Sequence, residues 1–370
     1  MIDTKQFYDT LLEHGVDFFA GVPDSLLSNL CACIKENTPK ERNIITANEG
    51  NAVAMCAGYY LSTGKYGVVY MQNSGQGNAV NPLLSLTDED VYSIPMLLVI
   101  GWRGEPGKHD EPQHVKQGKL TLPLLETMGI DYAVLGSDYK EQLEAAIEYL
   151  KTNSKPYALV VKKGEFSPYS IKKSESEYSM TREGALEKII EELSSEDVIV
   201  STTGKTSREI FEIRERRGEG HSNDFLTVGS MGHTASIAYG VALGTKNDVY
   251  CIDGDGSFLM HMGSLAVIGT NLPDNFKYIL NDNNAHESVG GQPTCTGSID
   301  IANILKSCGF KRVIVANNEK QIAKGIKALR ESKNCAMILH TRQGSRDDLG
   351  RPTTTPAENK ISLMKKLGSV

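Results

Sequence analysis

The sequence predicts two α/β domains, each built on a mainly parallel sheet with helices on both faces. Three observations lead there. Short apolar runs, partly β-branched, alternate with helical stretches along the chain, at 43–46, 67–71, 96–100, 158–161, 249–252 and 276–280, which is how strands buried on both faces read. The 370 residues exceed one comfortable core and fit two. One pattern also occurs twice. Residues 51–77 (NAVAMCAGYYLSTGKYGVVYMQNSGQG) and 234–257 (TASIAYGVALGTKNDVYCIDGDGS) each give a small-residue helix, a turn, a strand and a glycine-rich turn, as an internal duplication would. Between the halves residues 167–180 are polar, rich in Lys and Ser, and interrupted by Pro168, the composition of a linker. The expected domains are therefore 1–166 and 181–370.

Composition narrows the function. Hydrophobic residues at 40% and charged residues at 23% are ordinary for a globular enzyme. A net charge of −7 gives no electrostatic footprint for nucleic acid. The first fifteen residues carry acidic groups without an apolar core, and no apolar run approaches 18 residues, so the expectation is a cytoplasmic protein without export or membrane insertion. Seven cysteines include no CxxC pair, which argues against zinc or an iron–sulfur cluster.

Taken in chain order, the first candidate is Phe19–Ser25, the end of a strand running into a tight turn that contains Asp24 and Ser25. Either residue suits the N-cap of a helix over 26–35. Next, the strand 44–48 leads into Glu49 at the start of a helix in which Ala52, Ala54, Ala57 and Gly58 permit close packing. On helix chemistry alone Glu49 is a first-turn acid worth about 0.3–1 kcal/mol against the macrodipole. Residues 72–78 (QNSGQGN) form another strand-end turn. After the strand 96–100, residues 101–119 (GWRGEPGKHDEPQHVKQGK) look like a long loop carrying Arg103, Lys108, His109, His114, Lys116 and the chain's only Trp. Such a loop recognises a dianionic group or is a solvated surface with mixed charges, since Glu105, Asp110 and Glu111 offset the positives; charge alone weighs the two equally.

The second half holds the strongest pair. The strand 249–252 ends in Gly254-Asp255-Gly256, where minimal side chains let backbone N–H groups approach an anion. The next strand, 276–280, ends in Asn281-Asp282-Asn283-Asn284. Each is commonplace alone, as a turn and a polar loop. Together, after successive strands, they offer oxygen ligands for one Mg²⁺ carrying a diphosphate: Asp255, with Asn283 or Asp282.

GDGS followed by the N-D-N cluster resembles the cofactor motif of the thiamine diphosphate (TPP)-dependent enzymes. The resemblance implies two three-layer α/β/α domains, pyrimidine-binding and diphosphate-binding, without the middle domain that many such decarboxylases carry. It implies Mg²⁺ held by Asp255, Asn283 and the Ala285 carbonyl, with Asp282 the alternative, and cofactor phosphates at Gly254, Gly256 and Ser257. Residues 228–234 (VGSMGHT) are similar to the segment that folds the cofactor, with Gly229 accepting from its 4′-amino group, Ser230 beside it and Met231 wedged between its rings. The segment beginning at Glu49 is similar to the half in which a glutamate contacts N1′ and activates the cofactor. The family further implies a homo-oligomer in which the two halves of different subunits share a site.

Within the family, GVPDS, SGQGN and the RGEPGKHDEPQH segment on a two-domain chain resemble the decarboxylases of phosphonopyruvate, with those of sulfopyruvate next. Substrate contacts are then expected from Ser25, Arg103, Lys108 and Lys116, with Ser25 also counted among the catalytic residues beside Glu49, and proton donation from His109, His114 or the cofactor's imino group. Alternatives are a carboligase of the acetolactate synthase type, a noncatalytic TPP-binding paralogue, and a Mg²⁺-dependent phosphohydrolase, which would leave Glu49 and the GSMGHT segment without purpose. Residues 342–358, with Arg342, Arg346, Asp347, Asp348 and Arg351, suit a lid or a surface loop.

Overall fold

The computed structural model describes residues 1–169 and 176–369, in two compact units, Met1–Lys173 and Ser174–Val370. Part of the expected linker, 170–175, lies outside the described residues. In the first unit the strands are β1 (Phe18–Gly21), β2 (Asn43–Ile45), β3 (Gly67–Gln72), β4 (Leu97–Gly101), β5 (Asp131–Val134) and β6 (Tyr157–Val161). They form one sheet in the order β2-β1-β3-β4-β6-β5, parallel at every pairing. Alternate side chains feed two cores. Val68, Tyr70, Leu97, Val99, Leu159 and Val161 face one way, while Val69, Met71, Leu98, Ile100, Ala158 and Val160 face the other. That period of two explains why these strands read as continuous apolar runs.

The second unit contains β7 (Val198–Ser201), β8 (Asp224–Leu226), β9 (Val249–Gly254), β10 (Phe276–Asp282), the short hairpin β11 (Ala285–His286) and β12 (Gln292–Pro293), then β13 (Arg312–Ala316) and β14 (Cys335–His340). Its main sheet runs β13-β14-β10-β9-β7-β8, again parallel throughout. Read from β8, this is the order of the first sheet, the outcome a duplicated sequence leads one to expect. In each sheet the winding reverses between the first strand and the third, so the C-terminal ends of β1 and β3, and of β7 and β9, flank a crevice suited to ligands.

Four expectations need correction. The helix placed over 26–35 is Ser28–Asn37, and its N-cap, Leu27, makes no side-chain cap; Asp24 instead accepts from the Leu26 N–H and from Gln72 Nε2. Residues 101–119 are not one long loop, because the helix Pro112–Thr127 begins within them, with Pro112 at its first turn, where a missing N–H costs nothing. Gly254-Asp255-Gly256 is no turn: β9 ends at Gly254 and the helix Asp255–Met260 starts at once. In the helix Glu49–Thr63, Ala52 and Ala57 are buried, whereas Ala54 and Gly58 face outward. The segment 342–358 is tied down by Arg346, which pairs with Glu183, Glu212 and Asp348, and it ends in a capping box, Thr355 with Glu358, on the helix Pro356–Lys366. Among the described residues no helix is long and apolar enough to cross a membrane.

Candidate active site

In the first unit Glu49 opens its helix behind the N-cap Asn48, whose side chain accepts from Asn51 N. A first-turn acid serving only the helix dipole would face water. Glu49 is instead 4% exposed, and its Oε2 accepts from Asn78 Nδ2 at 2.7 Å. Burial pushes its carboxyl pKa up, with only the Asn78 amide and a backbone N–H opposing. This setting favours the protonated acid over its charged form relative to a carboxyl in water. Gly75, in the turn after β3, lies against it so closely that a Cβ there would fall 2.3 Å from Glu49 Oε1.

Beside the same strand ends, Arg103 gathers the polar groups. Its Nε and Nη2 donate to Asp110 at 2.8 and 2.5 Å, and its Nη1 donates to Ser25 Oγ at 2.9 Å. Gly104 N and Glu111 N also donate to Asp110; although burial opposes them, these bonds hold the Asp110 carboxyl well below the usual range. Asn73 Nδ2 donates to the Arg103 carbonyl, and Trp102 Nε1 donates to the Gly118 carbonyl, which pins the segment to β3 and to the helix Pro112–Thr127. His114 is buried, and burial, reinforced by Arg103, lowers its pKa to about 4. At pH 7 it is a neutral imidazole, poorly stocked with protons to give. Lys108, His109 and Lys116 are exposed. The structure therefore brings Ser25 and Arg103 together and leaves those three at the surface.

In the second unit Asp255, at the end of β9, is 5% exposed. Its Oδ2 accepts from Ala285 N at 2.9 Å and Thr294 Oγ1 at 3.0 Å. Asn283 Oδ1 accepts from the same Ala285 N at 3.1 Å, so two hard oxygens converge on one N–H. Burial and the neighbouring Asp282 push the Asp255 pKa up to about 7. Asp282 is differently engaged. Its Oδ1 accepts from Thr296 Oγ1 and Asn284 N, and His340 Nδ1 lies 3.3 Å from its Oδ2; against burial, these groups hold its pKa below the usual value. Asn284 takes a positive φ of 57°, a conformation Asn tolerates, and this turns the chain back into β11.

The segment 228–234 folds tightly, with positive φ at Gly229, Ser230 and Gly232. It is tied by Gly229 N to Thr203 Oγ1 and by Gly232 N to Ser257 Oγ. A Cβ on Gly256 would fall 2.9 Å from the Met231 methyl and 2.7 Å from His286 Nδ1, so Met231, Gly256 and His286 meet. His286 is buried, and burial lowers its pKa to about 4. Gln292, opposite His286 in the hairpin, is 2% exposed with both amide atoms unpaired.

These observations fit a diphosphate with Mg²⁺. One carboxylate and one amide oxygen at adjoining strand ends form the sparse protein set that Mg²⁺ takes when phosphate and water supply the rest. A buried, unpaired amide in Gln292 is the kind of group a ligand satisfies. Among the described residues no cluster of three or more His, Cys, Asp or Glu is arranged to hold a metal, so a transition-metal cage has no candidate there. Sequence reasoning passed over Asn78, Gln292, Thr294 and Glu287. Only Asn78, within the SGQGN turn, lay in a segment it had marked.

Comparison with known proteins identifies the family and its cofactor. Residues 4–123 match the model of the thiamine pyrophosphate enzyme, N-terminal TPP binding domain, and residues 202–339 match that of the C-terminal TPP binding domain. A phosphonopyruvate decarboxylase of Streptomyces viridochromogenes is 34% identical across 97% of this chain and 93% of its own length. One of Streptomyces hygroscopicus is 33% identical across 97% and 92%. A sulfopyruvate decarboxylase of Methanosarcina acetivorans is 30% identical across 90% of each. The chain belongs to the thiamine pyrophosphate enzyme family.

Proposed function

We propose that the chain is a carboxy-lyase that converts phosphonopyruvate to phosphonoacetaldehyde and CO₂, a step of phosphonate biosynthesis, using thiamine diphosphate and Mg²⁺ in the cytoplasm. The observation that carries this reading is the 34% identity with a phosphonopyruvate decarboxylase over 97% of the chain. When bound, the cofactor supplies the electron sink for loss of CO₂. The protein supplies the rest. Glu49, buried and proton-retaining, meets the pyrimidine nitrogen. Asp255, Asn283 and the Ala285 carbonyl hold Mg²⁺, while Gly254, Gly256 and Ser257 line the diphosphate. Asn283 is preferred to Asp282 because Asp282 is already held by Thr296, Asn284 and His340. Met231, packed toward Gly256, shapes the cofactor with Gly229 and Ser230. Arg103 and Ser25 take the anionic head group; Lys108 and Lys116 add positive field from the surface. Of the two histidines proposed as donors to the product, His114 is held neutral, which leaves His109.

The 30% identity with a sulfopyruvate decarboxylase favours a second reading with the same fold and mechanism and another head group. Aldehyde release from phosphonopyruvate, sulfopyruvate and pyruvate, with and without thiamine diphosphate, separates the two. Cofactor-dependent preference for phosphonopyruvate is expected; preference for sulfopyruvate reassigns the head group, and no turnover of any of the three defeats both. Glu49 and Asp255 are further proposed to serve one cofactor through self-association of the chain. Mixed and reassembled Glu49→Gln and Asp255→Asn proteins should then regain turnover that neither has alone; a silent mixture would place both groups on one chain.

A further inference from the structure

Behind Asn283 lies a buried ion cluster that the proposed chemistry does not use. Arg182, 4% exposed, donates from Nε and Nη2 to Glu209 at 2.7 and 2.8 Å and from Nη1 to Glu287 Oε2 at 2.8 Å. Lys205 Nζ donates to Glu287 Oε1 at 3.1 Å. Two cations thus face two carboxylates, and each oxygen of Glu287 has a charged donor. Glu287 Oε2 accepts one bond more, from Asn283 Nδ2 at 2.8 Å.

That last bond has a directional consequence. A side-chain amide has two ends of similar size and opposite polarity, and only one of them can coordinate a cation. With Nδ2 given to Glu287, Asn283 Oδ1 turns to Ala285 N, the N–H that Asp255 Oδ2 also accepts. The flipped amide would set oxygen against the Glu287 carboxylate, acceptor on acceptor, and would offer NH₂ where oxygen is needed. We infer that Glu287, anchored by Arg182 and Lys205, is a positioning residue that fixes the Asn283 amide with its oxygen beside Asp255 and so sets the divalent-cation affinity of the site. The inference rests on the assignment of Mg²⁺ to Asp255 and Asn283.

The test is a double-mutant cycle read by Mn²⁺ affinity, with free Mn²⁺ counted by electron paramagnetic resonance in saturating thiamine diphosphate. Glu287→Ala should weaken Mn²⁺ binding about 10–100-fold, as loss of a group that orients a ligand does. Asn283→Asp should restore it in that background, because a carboxylate presents oxygen at either end, and should bring no gain beside an intact Glu287, where two carboxylates would oppose each other. If Glu287 acted only through its charge, Asn283→Asp would change affinity by the same factor in both backgrounds; that result, or Glu287→Ala binding within about threefold of the parent, overturns the inference. Glu287→Gln keeps the packing and stands in should the alanine variant fold poorly. Asp255→Asn separates the two levels of the argument: Mn²⁺ binding that survives it refutes the metal site itself, whereas binding that it abolishes but Glu287→Ala spares refutes the positioning role alone.

Discussion

Gly75→Ala isolates the placement of Glu49 from everything else at the site. Gly75 has φ −71° and ψ −14°, values alanine adopts freely, so the change brings no backbone strain. Its new methyl would lie 2.3 Å from Glu49 Oε1, 2.5 Å from Cδ and 2.6 Å from Cγ. Since carbon contacts settle at about 3.5 Å, the carboxyl must retreat by roughly 1 Å. Its bond to Asn78 Nδ2, now 2.7 Å, would then be lost. A displacement of about 1 Å in a catalytic group costs on the order of 10²-fold in rate, or about 2.7 kcal/mol of barrier. Stability should fall by no more than about 2.6 kcal/mol, because overpacking by a methyl costs about 1–3 kcal/mol and the stiffer unfolded chain returns about 0.4–1 kcal/mol. The assay is kcat for CO₂ release, with Mn²⁺ affinity and thermal midpoint measured on the same preparation. A folded Gly75→Ala protein with unaltered metal binding and kcat within a few-fold of the parent would refute the reasoning, for it would mean that Glu49 can move without consequence.

Three further outcomes follow from the charges. Asp255 is raised to about 7 by burial and by Asp282, and Mg²⁺ must displace the proton it keeps; the apparent Mg²⁺ dissociation constant should therefore rise about tenfold for each pH unit below 7 and level off above it. The raised value also means that the metal-free protein loses stability as pH climbs from about 4 to about 7, between the carboxyl's ordinary value and its raised one, and levels off above, a loss that thermal melts of Asp255→Asn should lack; a flat Mg²⁺ profile between about pH 5.5 and 7 would show that Asp255 does not carry the competing proton. Arg103→Ala removes the charged donor to Ser25 and should raise KM for phosphonopyruvate about 10–100-fold, the worth of a charge-assisted bond, with pyruvate turnover nearly unchanged; an equal loss for both substrates would make Arg103 an anchor of its segment through Asp110 rather than the head-group contact.

Strands β3, β4, β6, β9 and β10 were legible because alternate residues fill two cores, so a whole strand reads as apolar; β7 and β14, packed the same way, went unmarked. The ends of the marked strands were not legible. β9 and β10 run on to Gly254 and Asp282 because neighbouring strands continue the ladder, pairing Asn281 with Gly254 and Asp282 with His340. Apolarity stops earlier, as the last residues face the crevice rather than a core. The helix Pro112–Thr127 was hidden for another reason. It contains Gly118 and Pro123, and Val115, Lys116, Lys119 and Leu120 lie exposed on it, so neither propensity nor an apolar stripe marked it. Of the site, the residues in compact motifs were readable, since GDGS and NDN announce oxygen and small side chains at adjoining strand ends. Glu287 and Gln292 were not, because their importance lies in which atom faces which, and a one-dimensional pattern carries no orientation.

The two sheets share a strand order and each brings a buried acid to the crevice where the winding reverses, yet they give those acids different neighbours. Glu49 has only the Asn78 amide and a backbone N–H for company, so burial raises its hold on a proton. Asp255 is also buried, but it stands beside the ionised Asp282 and within reach of the Asn283 oxygen. For such a group a proton relieves only part of the crowding of oxygens, and a divalent cation relieves more, because it also draws the amide oxygen and a diphosphate to the same point. On the function proposed above, a duplicated fold divides proton handling from metal handling without changing its topology. What differs is the neighbour of the acid: a neutral Asn78 in one half, and in the other Asp282 together with an Asn283 whose amide is held by Glu287.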